Sequence, residues 1–125
     1  SATPWLKLNP NYTKINVADQ QNAGNSILSF YRQMISIRKA NPSLVYANYA
    51  VINEAHKQVY AYWRWDDAVR YLILLNFSED QQTFEVDDRF DIESLSLIIG
   101  NMGVVQMAGD KIFKLLPWQA ALYQL

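Results

Sequence analysis

Two periodicities divide the chain near Pro42. Before it, Ile27, Tyr31, Met34 and Ile35 recur at i, i+4, i+7 and i+8, the spacing that gathers apolar side chains on one face of an α-helix. Asn25 or Ser26 can cap the start of such a helix, and Asn41-Pro42 ends it, because proline disfavours helical geometry in the residue before it. The pattern predicts a helix over about 26–40. Residues 1–24 are polar and rich in Asn, Gln and Pro, and are expected to be extended or looped over a surface.

Beyond Pro42 the helical stripe gives way to short β-rich runs at 49–53, 58–65, 69–76, 82–86, 94–99, 111–115 and 120–125. Turn residues separate them at Asp66-Asp67, Ser78-Glu79-Asp80 and Asp87-Asp88. Strands this short and this closely spaced predict a mainly β fold, an antiparallel β-sandwich. Tyr71-Leu72-Ile73-Leu74-Leu75 is apolar at every position, as expected of a central strand covered on both faces. The expected division is a loop and helix over 1–43, followed by a β-sandwich domain over 44–125.

Composition narrows the partners more than the fold. The chain has 125 residues, 50% of them hydrophobic and 18% charged, which suits a packed core and argues against disorder. Eleven basic and 12 acidic residues leave a net charge of -1, with no electrostatic footprint for nucleic acid or an anionic membrane surface. No apolar run approaches the roughly 18 residues of a spanning helix, and no secretory signal pattern is visible. Neither nucleic acid nor a membrane is therefore an expected partner. The absence of cysteine excludes a disulfide framework and thiolate metal sites, and it suits a cytoplasmic protein.

The residues able to do chemistry are scattered. Asp66, Asp67, Glu79, Asp80, Asp87, Asp88, Asp91 and Glu93 fall in predicted turns, where carboxylates form turns and meet solvent. His56, the one histidine, lies in Glu54-Ala55-His56-Lys57 at the tip of a predicted hairpin, without a nucleophile or ligand cluster beside it. No Asp-x-Asp-x-Asp-Gly loop and no paired His spacing is present. No catalytic residue, cofactor-binding residue or metal ligand is assigned, and no cofactor is expected.

Aromatic residues make up 14% of the chain, enough to build a sugar-stacking platform in a stand-alone carbohydrate-binding sandwich. On the run 58–65, Tyr60, Tyr62 and Arg64 share one side, whereas Val59, Ala61, Trp63 and Trp65 share the other. Burial of both sides, in a core or an interface, is the favoured reading, because large aromatics dominate such burial. Trp5 and Trp118 are expected to anchor the N-terminal loop and the last strand. Arg38 and Arg64 are candidates to pair with carboxylates across an interface, an exposed ion pair of little worth being the favoured outcome.

Four runs stand in order along the chain: Thr3-Pro4-Trp5-Leu6-Lys7-Leu8-Asn9-Pro10-Asn11-Tyr12, Arg38-Lys39-Ala40-Asn41-Pro42, Leu74-Leu75-Asn76-Phe77-Ser78, and Leu116-Pro117-Trp118-Gln119-Ala120. Together they resemble the end of the catalytic barrel and the C-terminal β-domain of family 13 glycoside hydrolases, the α-amylase superfamily, and most closely the oligo-1,6-glucosidase-like branch. Residues 100–110 show no such pattern. The resemblance implies that 26–40 is the last helix of a (β/α)8 barrel and that 44–125 is a Greek-key C-terminal sandwich. It also implies a parent that hydrolyses α-glycosidic bonds of oligosaccharides with retention, using carboxylates on earlier strands absent from this chain. The chain alone is then not an enzyme. Its partner is the missing barrel, oligosaccharide is met only through the parent, and 7–12 is the part nearest the active site. The helix stripe, uncovered without the barrel, is expected to form a homodimer contact rather than fold back on the sandwich.

Overall fold

The computed structural model describes residues 5–92 and 94–125. The chain divides into two compact units between Lys39 and Ala40. The first unit holds a 3-10 turn, Pro10–Thr13, the helix α1 (Val17–Asn22) and all but the last residue of the helix α2 (Ile27–Ala40). The expectation of a loop through residue 24 is thus corrected: the asparagines act as caps. Asn9 Oδ1 accepts the amide of Asn11 at 3.1 Å, with Pro10 in the first turn where its missing N–H costs nothing. Asn16 Oδ1 accepts the amide of Asp19 at 2.9 Å, and its Nδ2 donates to Asp19 Oδ2 at 2.8 Å.

Helix α2 follows the expected bounds, and Ser26 is its cap. The Ser26 hydroxyl accepts the amide of Ser29 at 3.1 Å and donates to the carbonyl of Gln20 at 2.7 Å, tying α1 to the start of α2. The stripe residues Ile27, Tyr31, Met34 and Ile35 are all exposed.

The second unit opens with a short helix, α3 (Ser43–Tyr46), where only strand was expected after Pro42. Four residues are too few for a helical period to show in sequence. Among the described residues eight strands follow: β1 (Asn48–Ile52), β2 (Val59–Trp65), β3 (Arg70–Asn76), β4 (Gln82–Glu85), β5 (Ser96–Gly100), β6 (Gln106–Met107), β7 (Ile112–Leu115) and β8 (Ala120–Gln124). Seven match the predicted runs. The eighth, β6, is two exposed residues paired only with β7, too short to carry an alternation.

All pairings are antiparallel, in one sheet ordered β1-β2-β3-β8-β5 and another ordered β4-β7-β6. The two sheets share one core. Ile52, Val59, Ala61, Trp63, Leu72, Leu74, Ala121 and Tyr123 enter it from the larger sheet, and Phe84, Phe113 and Leu115 from the smaller. Strand β3 occupies the centre of the five-stranded sheet, and Tyr71, Leu72, Ile73 and Leu74 are buried in succession, as its unbroken apolar run requires. The Trp63 indole donates to Asp87 Oδ1 at 2.8 Å and meets the Phe90 ring edge-on at 5.1 Å, so its polar end is satisfied. At the end of β5 the backbone passes so close to Gly103 and Ala120 that a Cβ on Gly100 would lie 2.9 Å and 3.1 Å from their carbonyl oxygens. Only glycine fits that crossing.

Candidate functional site

The two motif runs of the second unit meet in space. Asn76, 3% exposed at the end of β3, donates through Nδ2 to the carbonyls of Asp80 and Leu116 at 2.8 and 2.9 Å. Its Oδ1 accepts the amide and hydroxyl of Ser78 at 3.0 and 2.8 Å. Its own amide donates to the carbonyl of Gln119, and the amide of Trp118 donates to that of Ser78. Buried Gln119 returns the bond, its Oε1 accepting the amide of Leu116 at 2.9 Å. Asn101, in the stretch that carried no recognisable pattern, completes the junction: its Nδ2 donates to the carbonyl of Trp118 and its Oδ1 accepts the amide of Ala120. Every partner here is an amide, a carbonyl or a hydroxyl, so the junction holds backbone and does no acid-base chemistry.

The expectation for Trp118 needs correction in this light. Its backbone, at φ 57°, is the anchor, while its ring is 56% exposed. Trp5 is 92% exposed, so no described residue covers its indole and it anchors nothing by burial. Residues 7–12 are exposed too.

The carboxylates lie apart, each with local work. Asp66 accepts the amides of Ala68 and Val69 at 2.9 and 3.0 Å and bonds the Ser43 hydroxyl, and the Ser43 bond chiefly holds it below its ordinary pKa. Asp87 holds the Trp63 indole and lies 3.8 Å from the Arg89 guanidinium. Asp88 pairs with Lys111 at 2.6 Å, which depresses the carboxyl and raises the amine, though Asp88 is exposed and the pair is worth little to stability. Asp67, Glu79, Asp80 and Asp91 are in loops, and Glu93 lies outside the described residues. Among the described residues, no three of His, Cys, Asp and Glu are grouped closely enough to hold a metal ion. His56 is half-buried at the β1–β2 turn, where its Nδ1 accepts the amides of Val59 and Gln58 at 2.9 and 3.3 Å and its ring meets Phe84 at 5.4 Å. It closes a turn.

What remains is the face of the large sheet turned away from the core. Tyr49 pairs with Arg64 across β1 and β2, and Tyr60, Tyr62 and Arg64 alternate with the buried Val59, Ala61 and Trp63. The Tyr49 and Tyr60 hydroxyls bond each other, which, with some burial, pushes Tyr49 up to about 12. Tyr62 lies 5.2 Å from Tyr49 and 5.4 Å from Tyr60, with its ring tilted by 51° and 46° against theirs. Rings at such angles do not make a flat bed for a pyranose. Tyr49 and Tyr60 are 46% and 40% exposed, and the Arg64 guanidinium sits 5.8 Å from the Tyr49 ring centre. Its Nη1 is buried and finds no hydrogen-bond partner among the described residues.

Comparison with known proteins gives this geometry a context. The family described as alpha amylase, catalytic domain, matches residues 1–47. The oligo-1,6-glucosidase of Parageobacillus thermoglucosidasius is 32% identical over 125 residues, all of this chain and 22% of that protein. The glucan 1,6-alpha-glucosidase of Streptococcus pneumoniae is 34% identical over 98% of the chain and 22% of its own length. Among solved structures, a mutant of the trehalulose synthase MutB in complex with Tris superposes with a TM-score of 0.87 at 36% identity, over 100% of this chain and 22% of that one. The trehalose-6-phosphate hydrolase of Bacillus licheniformis superposes at 0.88 with 28% identity, over 99% and 22%. From end to end, helices and both sheets included, the chain is therefore similar to oligo-1,6-glucosidases and related proteins, of whose length it spans about a fifth.

Proposed function

We propose that this chain is the C-terminal structural portion of a family 13 glycoside hydrolase of the oligo-1,6-glucosidase or α-glucosidase type. In this reading α2 is the last helix of the catalytic barrel, and the two β-sheets are the parent's C-terminal Greek-key sandwich. The parent hydrolyses α-glucosidic bonds of oligosaccharides, and this chain supports the barrel without supplying its catalytic carboxylates. One observation carries the reading: similarity runs the whole length of the chain but covers 22% of the relatives, and the catalytic-domain match stops at residue 47, one residue before β1 begins. A stand-alone sugar-binding module would need neither α2 nor the residues before it, and the tilted tyrosines offer no platform. The composition, free of cysteine, suits a parent in the cytoplasm.

The reaction needs two carboxyl groups on rigid elements, roughly 5–5.5 Å apart in a retaining enzyme. Pure chain should therefore leave p-nitrophenyl α-glucoside untouched, and the reading frame upstream of Ser1 should encode the carboxylate-bearing barrel strands. Hydrolysis by the chain, lost on changing one of its own acidic residues, would overturn the proposal.

A further inference from the structure

We infer that the outer face of the five-stranded sheet is the seat of the parent enzyme's catalytic barrel. This rests on the reading above and adds to it the surface through which the two domains meet. The register fixes which side chains share that face. Val51, Tyr62, Ile73, Leu122 and Ile99 stand opposite one another on β1, β2, β3, β8 and β5, so a single apolar row crosses all five strands. Beside it run Tyr60, Leu75 and Ala120. None of these side chains belongs to the core shared by the two sheets, and all but Ile73 remain partly open to solvent. The outer face of the smaller sheet is the contrast. There Thr83, Lys114 and Gln106 form the row, with Glu85 and Ile112 beside it. An antiparallel sheet with one side in water alternates in that way, apolar inward and polar outward, and the larger sheet breaks the pattern. A sheet apolar on both sides is one covered on both.

The size fits a contact between domains. Five strands about 4.8 Å apart and about five residues long, at roughly 3.4 Å each, offer about 400 Å², or about 800 Å² counted on both partners. Interfaces between domains of one chain bury about 600–1,500 Å². The occupant is indicated by what already lies there. Tyr71, on this face and 3% exposed, donates its hydroxyl to Asn41 Oδ1 at 3.2 Å. Leu44, buried yet outside the shared core, sits on α3, which packs against β2. Asn41 and Leu44 belong to residues 1–47, the stretch that matches an alpha-amylase catalytic domain, so that domain's own chain begins the cover. The same stretch runs directly into β1, an edge strand of this sheet. The relatives are more than four times the length of this chain, enough to supply a barrel that covers the rest.

The chain contains no cysteine, so a single one introduced on the face reports its cover. Leu122→Cys should react readily with iodoacetamide in the dilute chain. In the complete polypeptide encoded by the source reading frame, labelling at the same position, read by peptide mass spectrometry, should be slower by about tenfold or more. Tyr62→Cys, on the same row, should behave alike and guards against a variant that fails to fold. Thr83→Cys, on the polar outer face of the smaller sheet, should react at one rate in both contexts. Equal labelling of Leu122→Cys and Tyr62→Cys in the two contexts would overturn the inference. So would labelling of both in the dilute chain far slower than that of Thr83→Cys, which would mean that the chain covers this face by itself. Protection of the complete polypeptide that disappears on dilution would make the occupant a second copy and overturn it too. A reading frame with no barrel segment before Ser1 overturns both this inference and the functional reading, whereas a complete glycosidase in which this face labels freely overturns this one alone.

Discussion

Leu74 tests the core most sharply, because its neighbours cannot close the gap it would leave. It is fully buried on the central strand β3, and its register partners on both sides are alanines, Ala61 on β2 and Ala121 on β8. Leu74→Ala would place three alanines side by side across the sheet, opposite the smaller sheet's Phe84, Phe113 and Leu115. Three buried carbon groups at about 0.8 kcal/mol each give a transfer loss of about 2.4 kcal/mol. The cavity adds to this, and main-chain hydrogen bonds on both flanks keep β3 from moving in to fill it. A total of about 3–5 kcal/mol follows, the upper part of the range for buried leucines. Urea unfolding followed by near-ultraviolet circular dichroism reads it directly, with Trp63 as the buried reporter and Leu116→Ala, at a half-exposed position, as a control expected within about 0.5 kcal/mol of the parent. A cost below about 1 kcal/mol for Leu74→Ala would mean that the side chain is not enclosed and that the shared core is wrongly described.

Three further outcomes are expected. Asn76→Asp should destabilise by roughly 2–4 kcal/mol in urea titrations at neutral pH, because it replaces the amide that donates to the Asp80 and Leu116 carbonyls with a carboxylate oxygen facing them; an effect within 0.5 kcal/mol would show that the junction does not bear load. Asp66 has a depressed pKa in the folded chain, so its contribution is fully present above the ordinary carboxylate value of about 3.9 and is lost as pH falls through the lower folded value; Asp66→Asn should flatten that part of an acid unfolding profile, and an unchanged profile would refute a contribution of the Asp66 carboxylate to it. The exposed stripe of α2 should make the chain pair with itself, so wild type should sediment as a dimer and Tyr31→Lys with Met34→Lys as a monomer; a monomeric wild type at high concentration with α2 ordered would refute the pairing.

What could be read from sequence was whatever depends on neighbours in the chain. Helix α2 announced itself by four apolar residues at helical spacing and a proline stop, and β3 by five apolar residues in succession. The side of β2 on which Trp63 and Trp65 lie followed from simple alternation, because a strand turns successive side chains to opposite faces whatever surrounds it. Local capping is written there too: Ser26 reads as the start of α2, but Asn9 and Asn16 are of a type that serves loops and helix starts alike, so residues 1–24 read as a loop. The tertiary structure alone decided what depends on residues far apart. That Asn76 and Gln119 belong to one junction, completed by Asn101, could not be inferred from any run of residues, since the bonds join positions as far apart as Asn76 and Gln119 themselves. It also decided that Trp118 anchors by its backbone and not by its ring, and that Gly100 sits where two carbonyls leave no room for a Cβ. Arg64 shows the division most plainly. Sequence placed it on the face shared by Tyr60 and Tyr62, but whether its charge meets water, a partner or nothing is a property of enclosed space, and only the folded chain leaves Nη1 buried without an acceptor.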